Sequence, residues 1–374
     1  MKTLYRLYFK CISFTFGVSA LAACSAQTPT VPADWKSDCV GRMQLSFPGE
    51  VDVAANPFKK LLGEYSVGSQ VMRYEYPDGQ VSDYNYIWNL GLVFVSHPLV
   101  PDARKQLLDA ANAKTLRAQA YVKKGNKDNY GNSLVFESLS VAPLTGYSYR
   151  VNNRVEMSIE LGEHVIRLAR STAESDPDWG REYRDAFIKG ASTRSIGQLP
   201  LSRGACLPYT FIKNDDDTPR RHIRIAYRLK DHPDVQIVLK DASAADTEPG
   251  IRTQNAEPLP VIQSLWDQHL TFFAKDAKNE WARGGHPVTL AGYKGLSSFV
   301  KFIRHDDAVD YGYAAVVRGD PNAKEDTPDL MLYVIRSAKD ATAKGKEPIS
   351  KDEFIKLAET VAASVKRRSP DANK

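Results

Sequence analysis

An α+β fold in two similar halves, each a mostly antiparallel sheet with packed helices, is predicted by three observations on this chain of 374 residues. Short apolar runs alternate with polar residues at period two, Pro and Gly punctuate them, and only a few segments carry the 3.6-residue period of an amphipathic helix. The length exceeds the usual size of one domain, about 100 to 200 residues, which suggests two.

The elements follow in order. Met43, Leu45 and Phe47 form a strand that Pro48-Gly49 ends. Residues 71–76 and 81–88 flank Pro77-Asp78-Gly79-Gln80, a composition suited to a tight hairpin. Over 102–122, Ala103, Leu107, Leu108, Ala111, Leu116 and Ala120 recur among basic residues and predict a helix with one apolar side. Strands resume at 134–139, 147–151, 155–161 and 164–169, and a helix over 179–191, capped by Asp178, closes the half. Gly197, Pro200 and Gly204 mark the boundary between folded segments 39–200 and 201–374.

The second half repeats the plan. Strands at 223–229 and 235–239 precede a helix over 259–273, and strands follow at 295–303, 311–317 and 330–336. The last helix is the clearest element: Ser350-Lys351-Asp352-Glu353 is a capping box, and Phe354, Leu357, Ala358, Val361, Ala362 and Val365 fall on one face. The common order of elements reads as a duplication, although any two α+β domains would share much of it.

Ahead of the fold lies a targeting segment. Lys2, Arg6 and Lys10 flank an apolar run over 11–23, too short for a bilayer that needs about 20 residues. Leu21-Ala22-Ala23-Cys24 is a lipoprotein processing box, so residues 1–23 read as a signal peptide and Cys24 as the lipidated residue. Ala20-Leu21-Ala22 also suits an ordinary secretory peptidase, and that alternative stays open. Ser25 stands where an aspartate would favour the inner membrane, so the expected destination is the periplasmic face of the outer membrane. Residues 24–38, with Pro29 and Pro32, form a polar tether.

After cleavage 47 basic residues face 45 acidic ones, a net +2 too small to imply a nucleic acid partner. Once Cys24 is acylated, Cys39 and Cys206 remain. In an oxidising periplasm they are expected to pair, the alternative being two buried free thiols.

No catalytic residue, cofactor or metal site is assigned. The Gly-x-Ser-x-Gly string of serine hydrolases is missing, and Gly295-Leu296-Ser297 lacks the closing glycine. The seven histidines, at 97, 164, 222, 232, 269, 286 and 305, never fall at zinc spacing. Asp306-Asp307-Ala308-Val309-Asp310 lacks the glycine and distal glutamate of a calcium loop and reads as a solvated turn. No phosphate-binding glycine loop occurs.

Two charged stretches are the candidate partner contacts: Asp215, Asp216 and Asp217 with Arg220 and Arg221, and the loop from Asp320 to Asp329 with Lys324, Glu325 and Asp326. Both are expected to be exposed loops on a rigid scaffold, where contacts concentrate, or else plain solvated connections. The ring-rich hairpin with Tyr74, Tyr76, Tyr84, Tyr86 and Trp88 is a third candidate, unless that face packs on the core.

Asp38-Cys39-Val40-Gly41-Arg42 followed by Met43 to Phe47 and Pro48 resembles the Cys-x-Gly-Arg-strand-Pro opening of the immunity proteins that protect bacteria from type VI secretion phospholipase effectors. Gly204-Ala205-Cys206-Leu207 is similar to the start of that family's second domain, and the Gly292 turn, the Tyr311-Gly312-Tyr313 strand and the closing 362–368 segment also fit. The chain departs from the pattern at Leu296-Ser297-Ser298, where an acidic pair is expected, and after Arg336, where Thr-Gly is usual. The resemblance implies a two-domain periplasmic protein that binds a lipase effector and blocks it without chemistry of its own. A structural or assembly lipoprotein of the outer membrane is the alternative.

Overall fold

A computed structural model describes residues 29–62, 74–82, 86–89, 91–128, 131–171, 179–213, 221–244, 257–281, 285–323 and 325–369. The elements of the first half are β1 (Lys36–Val40), β2 (Met43–Phe47), β3 (Val51–Val53), α1 (Phe58–Leu62), β4 (Tyr86–Asn89), β5 (Leu92–Val95), α2 (Pro101–Lys123), β6 (Phe136–Leu139), β7 (Gly146–Val151), β8 (Arg154–Leu161), β9 (His164–Ser171), α3 (Trp179–Gly190) and β10 (Ala191–Thr193). The second half holds β11 (Gly204–Leu207), β12 (Thr210–Lys213), β13 (Arg221–Leu229), β14 (Val235–Ser243), α4 (Pro258–Phe273), β15 (Asp276–Asn279), β16 (His286–Leu290), β17 (Tyr293–Ile303), β18 (Val309–Val317), β19 (Pro328–Arg336), α5 (Ala338–Ala343), α6 (Lys351–Ser364) and β20 (Lys366–Arg367).

The fold is α+β with antiparallel pairing throughout its ladders. One sheet runs through both halves in the order β15-β17-β18-β19-β14-β13-β4-β5-β9-β8-β7-β6, with β16 on β17 and β3 on β13. The halves join where His222 and Ile223 of β13 oppose Trp88 and Ile87 of β4. Two three-stranded sheets, β1-β2-β20 and β10-β12-β11, lie outside it.

Opposed residues in a ladder share a face, so the register fixes the layers. Phe299, Tyr313, Val334, Ile237 and Tyr227 form one row across four ladders. None is more than 1% exposed. Phe354 of α6 packs there, its ring 6.1 Å from Phe299 and 6.0 Å from Tyr311, and Phe47 of β2 reaches Tyr227 at 4.8 Å. The row Val300, Gly312, Ile335, Gln236 and Arg228 points to the opposite face. Trp266 of α4 lies on that side, its Nε1 donating to Ser298 Oγ at 3.3 Å. A side chain at Gly312 would strike the Trp266 ring, so the glycine lets helix and strand approach. Continuing the register through β9, β8 and β7 brings Ala169, Glu156 and Tyr149 to this same side, where Lys114 of α2 pairs with Glu156. Helices α2 and α4 therefore flank one face, and α6 lies on the other.

The capping box forms as expected: Ser350 Oγ accepts from Glu353 N at 3.3 Å while the Glu353 carboxylate accepts from Ser350 N at 2.9 Å. The turn at 77–80 is also present, with Tyr76 N donating to Gln80 O at 2.8 Å and Gly79 in the left-handed region. Much of the predicted hairpin around it, and the Asp178 cap, lie outside the described residues. Replacing Phe354 with Ala is expected to lower unfolding free energy by about 3 to 5 kcal/mol, and Ser350→Ala by about 1 kcal/mol, both read from denaturant curves.

Candidate functional site

Consecutive residues from Asp38 to Arg42 reach partners far along the chain. The Asp38 carboxylate accepts from Arg194 Nη1 at 2.5 Å, from Tyr227 Oη at 3.0 Å and from Gly197 N at 3.2 Å. Cys39 is bonded to Cys206, and both are fully buried. Gly41 donates its N–H to Cys206 O and accepts from Cys206 N, both at 2.8 Å. Its φ is +55° and a Cβ would collide with the Asp241 carboxylate, so glycine is required twice over. Arg42 donates its backbone N–H to Asp241 Oδ2 and its Nη1 to Asp326 Oδ2, each at 2.8 Å.

These contacts lead into a buried ion cluster. Arg221 grips Asp241 in a fork, Nε to Oδ2 at 2.8 Å and Nη2 to Oδ1 at 2.7 Å. It also donates to Asp326, Nη1 to Oδ1 at 3.0 Å and Nη2 to Oδ2 at 2.9 Å. Arg367 reaches the same Asp326 oxygen at 3.3 Å. The side chains of Arg221, Asp241 and Asp326 are 1%, 0% and 8% exposed. Burial alone would raise the Asp326 pKa, but the hydrogen bonds and charges of Arg221 and Arg42 outweigh it and hold the carboxyl below its ordinary value. Burial likewise disfavours the charged Arg221, and its two carboxylates overcome this and raise its pKa.

This geometry corrects part of the sequence reading. Arg221 and Asp326, expected as exposed partner contacts, are internal: each sits at the root of its loop, Arg221 held by Asp241 and Asp326, and Asp326 held by Arg221, Arg42 and Arg367. Charge runs of this kind are usually solvated, but here the last residue of one run and one carboxylate of the other turn inward to neutralise each other. Of the remaining candidates, Glu325 is exposed, whereas Asp215, Asp216, Asp217, Arg220 and Lys324, like Cys24, lie outside the described residues.

The Arg221 to Asp326 contact joins the roots of both charged stretches. The loop from Arg318 to Thr327 is braced internally: Asp320 N donates to Thr327 Oγ1 at 2.8 Å, Asn322 N to Asp320 Oδ1 at 2.8 Å, and Gly319 N to Asp329 Oδ1 at 2.7 Å.

Other sequence candidates resolve into structure. Tyr74 and Tyr76 are 2% and 1% exposed and serve as packing residues, Tyr76 lying under the Arg228 guanidinium at 4.4 Å. Asp306 and Asp307 form an exposed turn, but Asp310 is buried and accepts from Arg304 Nη1 at 3.2 Å and Ala338 N at 2.8 Å. His97 and His164 flank Ser96, a grouping that sequence spacing did not reveal. The Ser96 hydroxyl donates to His97 O at 2.8 Å and accepts from Val165 N at 2.9 Å, so neither imidazole touches it as a base would. Burial pushes both histidines below their usual pKa. Among the described residues no group of three His, Cys, Asp or Glu is placed to hold a metal ion.

Residues 198–370 match the family model described as Tle cognate immunity protein 4 C-terminal domain. Similar solved structures span nearly the whole chain. The apo immunity protein TplEi of the type VI secretion system of Pseudomonas aeruginosa is 14% identical, with 90% of this chain and 97% of that one covered and a TM-score of 0.53. The same immunity protein complexed with "L" peptide is 13% identical, covering 90% and 99%, with a TM-score of 0.55. A Tle4-Tli4 complex gives 14% identity, 90% and 98% coverage and a TM-score of 0.55. No curated protein matches the chain in sequence. The fold is thus that of type VI secretion immunity proteins, as the resemblance at Asp38 to Pro48 implies. Within that fold, the second half is the part that matches the Tle cognate immunity protein 4 C-terminal domain model.

Two results are expected from the ion cluster. Arg221→Ala leaves Asp241 and Asp326 buried without their main counter-charge and is expected to cost about 3 to 5 kcal/mol in urea unfolding. The depressed Asp326 pKa contributes stability that is complete above the ordinary aspartate value of 3.8 and is lost as pH falls through the lower folded value. Asp326→Asn should therefore lower the urea midpoint at pH 7 and flatten its decline below about pH 4.

Proposed function

We propose that this protein is a periplasmic immunity protein that binds and inhibits a phospholipase effector of type VI secretion, protecting the producing cell without chemistry of its own. The observation that carries the reading is the family match over residues 198–370, joined to a fold shared along nearly the full length of solved immunity proteins. One of those structures is a complex of Tle4 with Tli4, and another holds a bound peptide. The positive-charged start, apolar run and Leu21-Ala22-Ala23-Cys24 box support export, lipidation at Cys24 and an outer-membrane anchor. A toxin that hydrolyses phospholipid from the periplasmic side meets its inhibitor there.

The contact surface is proposed to include the two charged loops that Arg221 and Asp326 root together, with Asp215, Asp216, Asp217, Arg220, Lys324 and Glu325 as the contacting side chains. An interface that inhibits tightly buries about 1,600 Å² in total, so these loops would form one part of it. Charged groups at such a rim act mainly on association rate and its salt dependence.

The test mixes purified protein with the lipase-like product of the adjacent gene and follows complex formation and phospholipase activity together. A stoichiometric complex with lost activity is the expected outcome; full activity at excess protein would sink the reading. Reversing charge at Asp215, Asp216 and Asp217 together is expected to change the association rate about 10-fold or more at low salt, with less effect at 0.5 M salt.

A further inference from the structure

Helix α2 leaves most of its side chains partly or fully open to solvent. It spans 23 residues, yet Leu107 is its one fully buried side chain, whereas the 14-residue α6 buries six. From Pro101 to Lys124 it holds six basic and two acidic residues, a net +4 against +5 for the entire chain. The charge concentrates toward one end: Arg117, Lys123, Lys124 and Lys127 fall between Leu116 and Lys127 with no acidic residue among them. Three large apolar side chains stand exposed in the same region, Leu116 at 55%, Tyr121 at 54% and Val135 at 60%. Val135 joins the patch because Lys127 and Ser133 bridge, folding the following segment back beside the helix end. The strand that follows, β6, is the terminal strand of the large sheet, so the patch sits at one end of the molecule. Asp128, which follows Lys127 in sequence, accepts from Asn132 N at 2.8 Å and from its side-chain amide at 3.1 Å.

We propose that this end of α2 is a membrane-contact surface that rests on anionic phospholipid headgroups, its cations over the phosphates and Leu116, Tyr121 and Val135 in the headgroup layer. A cluster of cations beside exposed apolar side chains suits an anionic membrane surface, where each Lys or Arg near the headgroups adds attraction. An acidic protein is the other anionic partner, but protein interfaces are depleted in lysine, and three of these four cations are lysines. The surface is at the far end of the sheet from β13 and β19, where Arg221 and Asp326 root the charged loops, so its role does not depend on that reading.

The test uses the exported chain carrying Cys24→Ser, which cannot be acylated there, and measures sedimentation with phosphatidylcholine vesicles containing or lacking one quarter phosphatidylglycerol. Binding to the anionic vesicles alone, reversed by 0.5 M salt, is expected. Each cation near an anionic surface contributes about five-fold, so Lys123→Gln, Lys124→Gln and Lys127→Gln together should weaken partitioning about 100-fold. Inhibition of the effector on a short-chain soluble substrate should be unchanged by the triple variant. In the unsubstituted Cys24→Ser chain, anionic vesicles should slow amide exchange over residues 113–127. Equal binding to both vesicles, no binding, or binding indifferent to the three substitutions overturns the proposal. So does a variant that still binds vesicles but loses the effector, which would assign the helix to the protein interface.

Discussion

The fork of Arg221 on Asp241, shared with Asp326, is the contact on which the arrangement of the molecule turns. Three charges in a site this dry are stabilised only while all are present and fully hydrogen-bonded. Their value lies less in net stability than in position. Asp241 belongs to β14, Arg221 to β13, Asp326 to the loop before β19, Arg42 to the turn after β1 and Arg367 to β20. One cluster thus sets the place of the first strand, the last strand and the middle of the large sheet relative to one another. The disulfide beside it and the Gly41 backbone pair tie the same first strand to β11.

The short motif that resembles the type VI immunity family acquires a physical meaning from this arrangement. Asp38 neutralises a buried arginine, Cys39 is cross-linked, Gly41 clears space for a carboxylate and Arg42 completes the ion cluster. A signature of this kind reports on how the halves are fastened, and its residues are too deeply buried to touch a partner.

What the amino-acid pattern revealed follows the range of the forces involved. Strands such as Met43 to Phe47 and Tyr311 to Val317, and the capped α6, are dictated by residues a few positions apart and were legible. Short strands such as Val51–Val53, Asp276–Asn279 and Lys366–Arg367 form where a distant strand offers hydrogen bonds, and two to four residues are too few for a period-two pattern to announce them. The inward turn of Arg221 and Asp326 was equally hidden, because nothing near either residue names Asp241 or Arg42 as its counter-charge. The same holds for Ser96 between two histidines, brought together by β5 and β9 pairing.

The pairing of β2 with β20 has a further consequence in time. Ser46 N donates to Ser364 Oγ across 318 residues, and Met43 pairs with Arg367. The first strands to leave a ribosome find no complete set of partners until the last helix has followed. Contacts of such sequence separation slow folding, and these particular ones wait for the C-terminal residues. Early-emerging segments stay without these native contacts while the rest of the chain is made.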